Sequence, residues 1–407
     1  MGDKQTKKSF SILASCFSIQ AIGVGLFVAY GVFFNPLMTE FGWSRALVSG
    51  ASSAAFFISG LFAIYMGRLN DRIGPRKIMM VTSVFFGAGL IFMAFADTSF
   101  ELYLYFGIIF GIGLSSIDVI PLTTIARWFP LRRGIMTGIT KVGTGAGQFF
   151  FPLAATLLIS AWGWRTASLV LGIVSMLLLS GIARVIRRDP GGSETLTGSF
   201  EAQAPMDRDI SFAKAVKTHQ FWMLCLANLI IVACMMGVLV HIVPHARDTG
   251  LSPGRAASIL STIGGVSMAG RFIIGMAIDR IGSKRCAIIS LFMLITALLW
   301  LQKADGLWKL YLFAAIYGLA HGSFFTVISP IVAELFGTAS HGSLFGLVVA
   351  FGTTGGALGP ILTGYLFDIN GSYDLPFFLF LVASTLGLGI LFMVKPVTLR
   401  ILPNGKG

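Results

Sequence analysis

The sequence predicts an all-α membrane protein with twelve transmembrane helices in two pseudo-symmetric six-helix halves. Composition is the first reason: 55% of the 407 residues are apolar, only 12% are charged and the mean hydropathy is +0.84, whereas a soluble domain carries about 25% charged residues. Apolar stretches of about 20 residues, long enough to cross ~30 Å of hydrocarbon, recur along the chain. An internal repeat is the third reason.

Twelve apolar stretches are long enough to be spans. The first continues through Tyr30 towards Pro36 and has no small-residue cleavage site, so it is predicted to be a span and not a cleavable signal. The predicted spans are residues 10–36, 46–67, 78–96, 102–126, 134–158, 164–184, 220–244, 256–278, 286–302, 308–333, 342–366 and 375–394.

Basic residues are distributed unequally between the two sets of connecting segments. Of the 30 Lys and Arg residues, 22 lie in the set that contains both termini, six lie in the opposite set, and Lys141 and Arg271 lie within spans. Cytoplasmic segments carry the excess of Lys and Arg. The sequence therefore predicts a multi-pass plasma (inner) membrane protein with both termini in the cytoplasm, and the net charge of +13 suits anionic lipid headgroups.

A repeated segment divides the chain. Gly-Arg-Leu-Asn-Asp-Arg-Ile-Gly-Pro-Arg-Lys at 67–77 returns 208 residues later as Gly-Met-Ala-Ile-Asp-Arg-Ile-Gly-Ser-Lys-Arg at 275–285. A repeat kept in register over this distance indicates two parallel halves. We predict an N-terminal half of residues 1–186, a cytoplasmic linker at 187–217 with a helical turn near 210–217, and a C-terminal half of residues 218–407.

Several other classes of protein are disfavoured. The four cysteines form no Cys-x-x-Cys pair, so no metal site is expected. The basic residues are dispersed among loops, which disfavours nucleic-acid binding. Glycine-rich stretches at 143–147 and 352–360 lack a following Gly-Lys-Ser/Thr, which disfavours a nucleotide-driven pump. They are predicted to let helices approach and slide at a mobile seam between the two halves.

Arg271 is the strongest candidate for a binding residue. It lies within the eighth apolar span, where a charge costs from ~3 to more than ~10 kcal/mol and normally faces a wet cavity. Its planar guanidinium matches a carboxylate, so it is predicted to bind a small organic acid. The alternative is a structural pairing with a helix C-terminus or a carboxylate of the protein itself.

Asp118 is the only acid within the fourth span and precedes Pro121 by one turn. Burial raises the pKa of a carboxyl group and a nearby cation lowers it, so such a residue can exchange protons as its surroundings change. We predict proton coupling through Asp118, with Lys141 of the fifth span as its partner. A permanent structural pair between the two residues is the alternative.

Other polar and aromatic residues within the spans are weaker candidates for substrate contacts. His241 ends an apolar stretch of the seventh span, where it could bind substrate or meet interfacial water. Tyr317 and His321 are four residues apart and share a face of the tenth span. They are expected to line the central cavity or to form ordinary hydrogen bonds between helices.

The repeated Gly-x-x-x-Asp-Arg-x-Gly-x-Arg/Lys loop resembles the signature loop of the major facilitator superfamily. Tyr-Gly-Val-Phe-Phe at 30–34, Glu-Phe-Gly-Trp-Ser-Arg-Ala at 40–46 and Gly270-Arg271 resemble the branch of monocarboxylate transporters and oxalate/formate antiporters, and the chain looks like a bacterial monocarboxylate transporter homologue. Residues Asp71, Arg72, Asp279 and Arg280 of the two loops are predicted to form a conformational latch, with a purely structural ion pair as the alternative.

The resemblance implies a secondary active transporter, not an enzyme, that moves small monocarboxylates such as lactate or pyruvate with protons by alternating access. No cofactor other than the proton is expected, and one chain is expected to suffice. Arg271 would bind the carboxylate. Tyr30 matches a pocket-lining position, with aromatic packing as the alternative.

Some positions depart from the family pattern. The eleventh span has no Lys or Arg, unlike oxalate exchangers, so one cation in the C-terminal half suits one carboxylate. Ser267 and Phe34 stand where monocarboxylate carriers have their proton-handling Asp and Lys, which leaves Asp118 to that task. An organic anion exchanger of the oxalate/formate type and a non-transporting membrane sensor are the alternative functions.

Overall fold

The structure is a computed structural model that describes residues 2–188, 210–304 and 306–394. Every regular element in these ranges is helical. Eleven of the helices are long and apolar enough to cross a membrane, and one of them, Arg133–Ala183, contains two spans because it bends at Gly163 (φ 78°, ψ 165°). The described residues therefore form the twelve predicted spans.

The N-terminal half contains six of these helices. They are α1 (Gly2–Ala29, continued by a tight turn at Tyr30–Phe33 and a short helix at Phe34–Phe41), α2 (Arg45–Ile73), α3 (Pro75–Met93), α4 (Ser99–Trp128), and α5 and α6, which are residues 133–162 and 164–183.

The C-terminal half has the same succession of helices. They are α7 (His219–Asp248), α8 (Pro253–Ile281), α9 (Ser283–Leu301), α10 (Leu307–Phe336), α11 (His341–Asn370) and α12 (Asp374–Met393).

Equivalent glycines end the second helix of each half. Gly74 separates α2 from α3 with φ 85°, and Gly282 separates α8 from α9 with φ 84°. Glycine adopts positive φ without the steric cost that a Cβ imposes. The repeated loop therefore has a glycine at this position because the chain reverses sharply there between two antiparallel spans.

The fourth helix is irregular before it reaches Asp118. Its segment Tyr103–Phe110 is a π-helix, a break follows at Ser115, and Pro121 lies inside the last part of the helix. Wider turns of this kind are rare and often occur at functional sites. The π-helical segment was not predicted, because the apolar sequence there suits an ordinary span equally well.

Each half has its own apolar core, and the halves meet along two helix pairs. In the pair α2 and α11, Gly67 packs against the backbone of Gly342. In the pair α5 and α8, Gly134 and Gly138 pack against Gly275. Small residues let helix backbones approach in this way. The close packing predicted for the glycine-rich stretches is present, but most of it lies within each half and not at the seam. Gly143 and Gly147 lie against the backbone of α1, and Gly355 and Gly359 lie against that of α7, whereas Gly145 contacts Met268 of the opposite half.

The linker between the halves is described only at its ends. A helical turn occupies Phe212–Ala215, inside the predicted range of 210–217, and Ile210 donates a backbone hydrogen bond to the Phe336 carbonyl (3.0 Å). The rest of the predicted linker lies outside the described residues. The division at residues 187–217 therefore stays a prediction.

Candidate functional site

Asp118 lies at the centre of a polar cluster in the N-terminal half. The Lys141 ammonium of α5 pairs with its Oδ1 atom. Gln20 of α1 donates from Nε2 to the same oxygen (2.9 Å) and to the Ile117 carbonyl (2.8 Å). Thr144 in turn donates to Gln20 Oε1 (2.9 Å). Two helices, α1 and α5, therefore hold this carboxylate of α4 in one orientation.

The two partners of the ion pair differ in accessibility. The Lys141 side chain is 7% exposed, whereas the Asp118 side chain is 40% exposed although it lies well inside a membrane span. The described hydrogen bonds of the carboxylate all end on Oδ1. Asp118 therefore presents its second oxygen to an accessible space inside the bundle, where it can accept a proton.

Arg271 approaches this cluster from the C-terminal half. The residue is 3% exposed, and its Nε and Nη1 atoms have no hydrogen-bond partner among the described residues. Its backbone packs against Gly138, and a methyl group on Gly145 would lie 3.3 Å from Nη1. The guanidinium thus lies against α5 and interacts electrostatically with Asp118. A buried cation with free donors is the expected form of an anion site.

His321 of α10 completes the cluster. It is 8% exposed, and neither ring nitrogen has a hydrogen-bond partner within the described part of the chain. Its ring centroid lies 4.9 Å from that of Phe325, and the ring is near enough to Arg271 and Lys141 to interact with both charges. A neutral imidazole offers one donor and one acceptor, so His321 can bind a small polar group beside the two cations.

The other three predicted substrate residues have their polar atoms engaged elsewhere. Tyr317 is fully buried, and its hydroxyl donates to the Met235 carbonyl. Tyr30 stacks on Phe106 with centroids 3.9 Å apart and donates to the Val48 carbonyl (2.9 Å). His241 is shared between Tyr373 and the Pro360 carbonyl. No described contact connects these three side chains with Arg271, so their binding role stays a prediction.

Sequence reasoning missed three residues of the functional clusters. Gln20 and Thr144 orient Asp118, and Arg127 of α4 binds Asp71. Their polar side chains within or beside apolar spans could have marked them in the sequence. Buried polar groups are nearly always hydrogen-bonded, so each of them was expected to have a partner. The sequence could not name their partners, since these lie 98, 124 and 56 positions away.

The signature-loop aspartates connect the two halves. Asp71 accepts hydrogen bonds from the backbone of Gly342 (3.1 Å) and Ser343 (2.7 Å) at the start of α11. Asp279 accepts from the backbone of Gly134 (2.6 Å) and Ile135 (2.9 Å) at the start of α5. A carboxylate satisfies the free N–H groups at a helix start and suits its positive dipole. The contacts obey the same 208-residue offset as the repeat.

Asp71 has an additional basic partner, and none is described for Asp279. The neighbouring arginines of the signature loops make no described contact across the interface. Arg127 donates to Asp71 (2.7 Å) and to the Thr338 carbonyl (3.4 Å). Leu335 occupies the equivalent place in the second half. Arg72 and Arg280 are exposed and make no described hydrogen bond to the opposite half. Within the predicted latch, the contacts are therefore those of Asp71 and Asp279.

Replacing Asp71 by alanine is expected to open this end of the molecule. The backbone N–H groups of Gly342 and Ser343 would lose their acceptor, so their hydrogen exchange should accelerate at least about tenfold, the equivalent of about 1.4 kcal/mol. Hydrogen-exchange mass spectrometry of the α11 start measures this. Arg72→Ala is the matched control and should leave exchange unchanged. Equal exchange in the two variants would contradict a latch at Asp71.

The fold and its charged interface are typical of one class of membrane protein. Two pseudo-symmetric six-helix halves with ionisable groups between them are the architecture of secondary transporters. The family model described as the Major Facilitator Superfamily matches residues 11–275 and 236–407. The chain belongs to this superfamily, whose members are membrane transporters and not enzymes.

Several curated relatives of this chain are named monocarboxylate transporters. Monocarboxylate transporter 11 of Homo sapiens is 27% identical over 382 residues, which cover 90% of this chain and 79% of the relative. Monocarboxylate transporter 4 of Gallus gallus is 26% identical over 408 residues, which cover 95% and 83%. The resemblance of the chain to the monocarboxylate transporter branch is therefore confirmed.

Solved structures show the same fold. The human organic anion transporter MFSD10 (TETRAN) superimposes with a TM-score of 0.71 at 16% identity, covering 95% of this chain and 99% of that protein. The proton:xylose symporter XylE also has a TM-score of 0.71 at 16% identity, covering 96% and 97%. At these identities the likeness confirms the major facilitator fold and carries no information about substrate.

Proposed function

We propose that this protein is a secondary active transporter of small monocarboxylates of the lactate or pyruvate kind, working as a proton symporter by alternating access. The observation that carries the proposal is the buried guanidinium of Arg271, which has two free donor atoms, lies against α5 of the opposite half and interacts with the charge of Asp118. The names of the curated relatives support the substrate class.

The charges of the site support coupling to one proton. Arg271, Lys141 and a charged Asp118 leave one positive charge in the empty site. A carboxylate on Arg271 together with a proton on Asp118 restores the same net charge. The site then carries equal charge empty and loaded, which matters because moving an unbalanced charge through the membrane field is costly.

The contacts between halves support one direction of access in this state. Asp71 and Asp279 close the end of the molecule that carries the α2–α3 and α8–α9 junctions. By the distribution of basic residues this end is cytoplasmic. The accessible oxygen of Asp118 is then reached from the opposite side. Both Asp118 and Arg271 belong to one chain, so a monomer in the plasma membrane suffices for the proposed cycle.

His321→Ala is expected to reduce discrimination among acids without abolishing transport. The free ring nitrogens of His321 lie near Arg271, where they can bind a 2-hydroxyl or 2-oxo group. Lost hydrogen bonds of this kind cost about 1–1.5 kcal/mol, so the preference for lactate over propionate should fall about tenfold. Competition uptake with the two acids measures the ratio. His321→Asn should restore part of it, and an unchanged ratio in both variants would exclude His321 from the substrate pocket.

Proteoliposomes with purified protein test the proposal directly. An inward proton gradient should drive uphill lactate entry into vesicles that contain no internal anion. A requirement for internal anion would instead establish exchange of the oxalate/formate type, which the tight Lys141–Asp118 contact favours if the pair never separates. No flux and no binding of any carboxylate would leave the membrane sensor as the remaining candidate.

A further inference from the structure

The site contains a second cation, Lys141, whose charge is paired with the carboxylate of Asp118. Lys141 comes from α5 of the N-terminal half and Arg271 from α8 of the C-terminal half, so one basic group reaches the interface from each side. The Lys141 ammonium is engaged by Asp118 and its side chain is only 7% exposed. The sequence showed one cation in the C-terminal half, whereas the folded site holds two.

Arg271 of α8 contacts α5 about one helical turn from Lys141. Lys141 and Gly145 are four residues apart on α5, a rise of about 6 Å, and Arg271 Nη1 lies against Gly145. His321 of α10 is near enough to both cations to interact with their charges. A separation of about one helical turn is within the reach of a dicarboxylate with three or four carbons.

We propose that the charge of Asp118 sets how many carboxylates the site accepts. Arg271 binds one carboxylate in either state of Asp118. While Asp118 is charged, it occupies Lys141, so no second carboxylate can bind there. When Asp118 is neutral, Lys141 becomes a second carboxylate ligand and the site takes a short dicarboxylate. This inference rests on the proposed function, because Arg271 must hold the first carboxylate.

The neighbours of Asp118 suit such a change. Lys141 of α5 and Gln20 of α1 contact its carboxyl group, Arg271 of α8 interacts with its charge, and His321 of α10 lies near the two cations. Gln20 can keep its hydrogen bond to Oδ1 when the group is neutral, so the acid keeps its place. Lys141 and Arg271 would then both lack an anion. This state is unfavourable, because removing one partner of a buried ion pair leaves the other charge uncompensated. A dicarboxylate supplies both missing charges.

The test compares binding of lactate, malonate and succinate to purified full-length protein, with titration at pH 7.5. Asp118→Asn keeps the shape and the acceptor for Gln20 but fixes the neutral state. We expect malonate or succinate to bind at least about tenfold more tightly to this variant than to the wild type. In the double variant Asp118→Asn with Lys141→Met, this gain in dicarboxylate affinity should disappear.

The outcomes separate this inference from the function on which it rests. Lactate binding to the wild type with no dicarboxylate gain in Asp118→Asn would overturn the inference alone, and so would a gain that survives Lys141→Met. Absence of lactate binding to the folded wild type would overturn the proposed function as well. If Asp118→Asn proves unstable in size-exclusion chromatography, Asp118→Ser removes the same charge and must show the same gain.

Discussion

Replacing Arg271 by glutamine is expected to weaken carboxylate binding by roughly 30- to several-thousand-fold, the equivalent of about 2–5 kcal/mol. The expected loss is large because the guanidinium is 3% exposed and its free donors have no other anion to bind. Isothermal titration of purified protein with lactate measures the affinity, and uptake into proteoliposomes should be lost in parallel.

Arg255→Gln is the matched control for this prediction. Arg255 lies on the same helix, is exposed, and should leave lactate affinity unchanged when replaced. Thermal stability provides a second readout. Arg271→Gln should unfold at or above the wild-type temperature, because a cation with unpaired donors has left the interior. Retained lactate affinity, or strong destabilisation with no ligand effect, would indicate a structural arginine instead.

Replacing Asp118 by asparagine is expected to abolish uphill accumulation of lactate while exchange across the membrane stays within about threefold of the wild type. Asparagine keeps the hydrogen bond from Gln20 but cannot carry the proton that would couple transport to the gradient. Exchange needs only the loaded carrier, and a neutral side chain imitates its protonated state. Gradient-driven uptake and counterflow, measured in the same vesicles, separate the two activities.

Equal loss of accumulation and exchange would favour a structural pair between Asp118 and Lys141. The double variant Asp118→Asn with Lys141→Met supplies the control. Removing both charges of a buried pair is often neutral for stability, whereas removing one costs about 3–5 kcal/mol. Recovery of folding and exchange in the double variant, without accumulation, would assign the loss in the single variant to an orphaned lysine.

The sequence was a reliable guide where the bilayer limits the possible structures. Span length, the apolar character of each stretch and the repeat at 67–77 and 275–285 predicted the helices, their number and the two halves, because a chain in hydrocarbon must satisfy its backbone hydrogen bonds within helices. Arg271 and Asp118 stood out for the same reason, since a charge inside an apolar span has few acceptable environments.

The sequence could not predict which side chains contact each other between different helices. It marked Tyr317 and Tyr30 as pocket candidates as readily as His321, yet both hydroxyls donate to backbone carbonyls of neighbouring helices, while the ring nitrogens of His321 have no described partner. The rotation of each helix about its axis decides such differences. That rotation follows from packing against several helices at once and not from the period of one of them.

The sequence by itself thus determined a twelve-span membrane protein with an arginine and an aspartate inside its spans, because solvation in the bilayer acts on each segment separately. Only the tertiary structure decided that Arg271 packs against α5 near the Asp118–Lys141 pair, that Gln20 orients Asp118, and that Asp71 and Asp279 bind the opposite half. These contacts join residues from different helices, and the packing of the two halves brings them together.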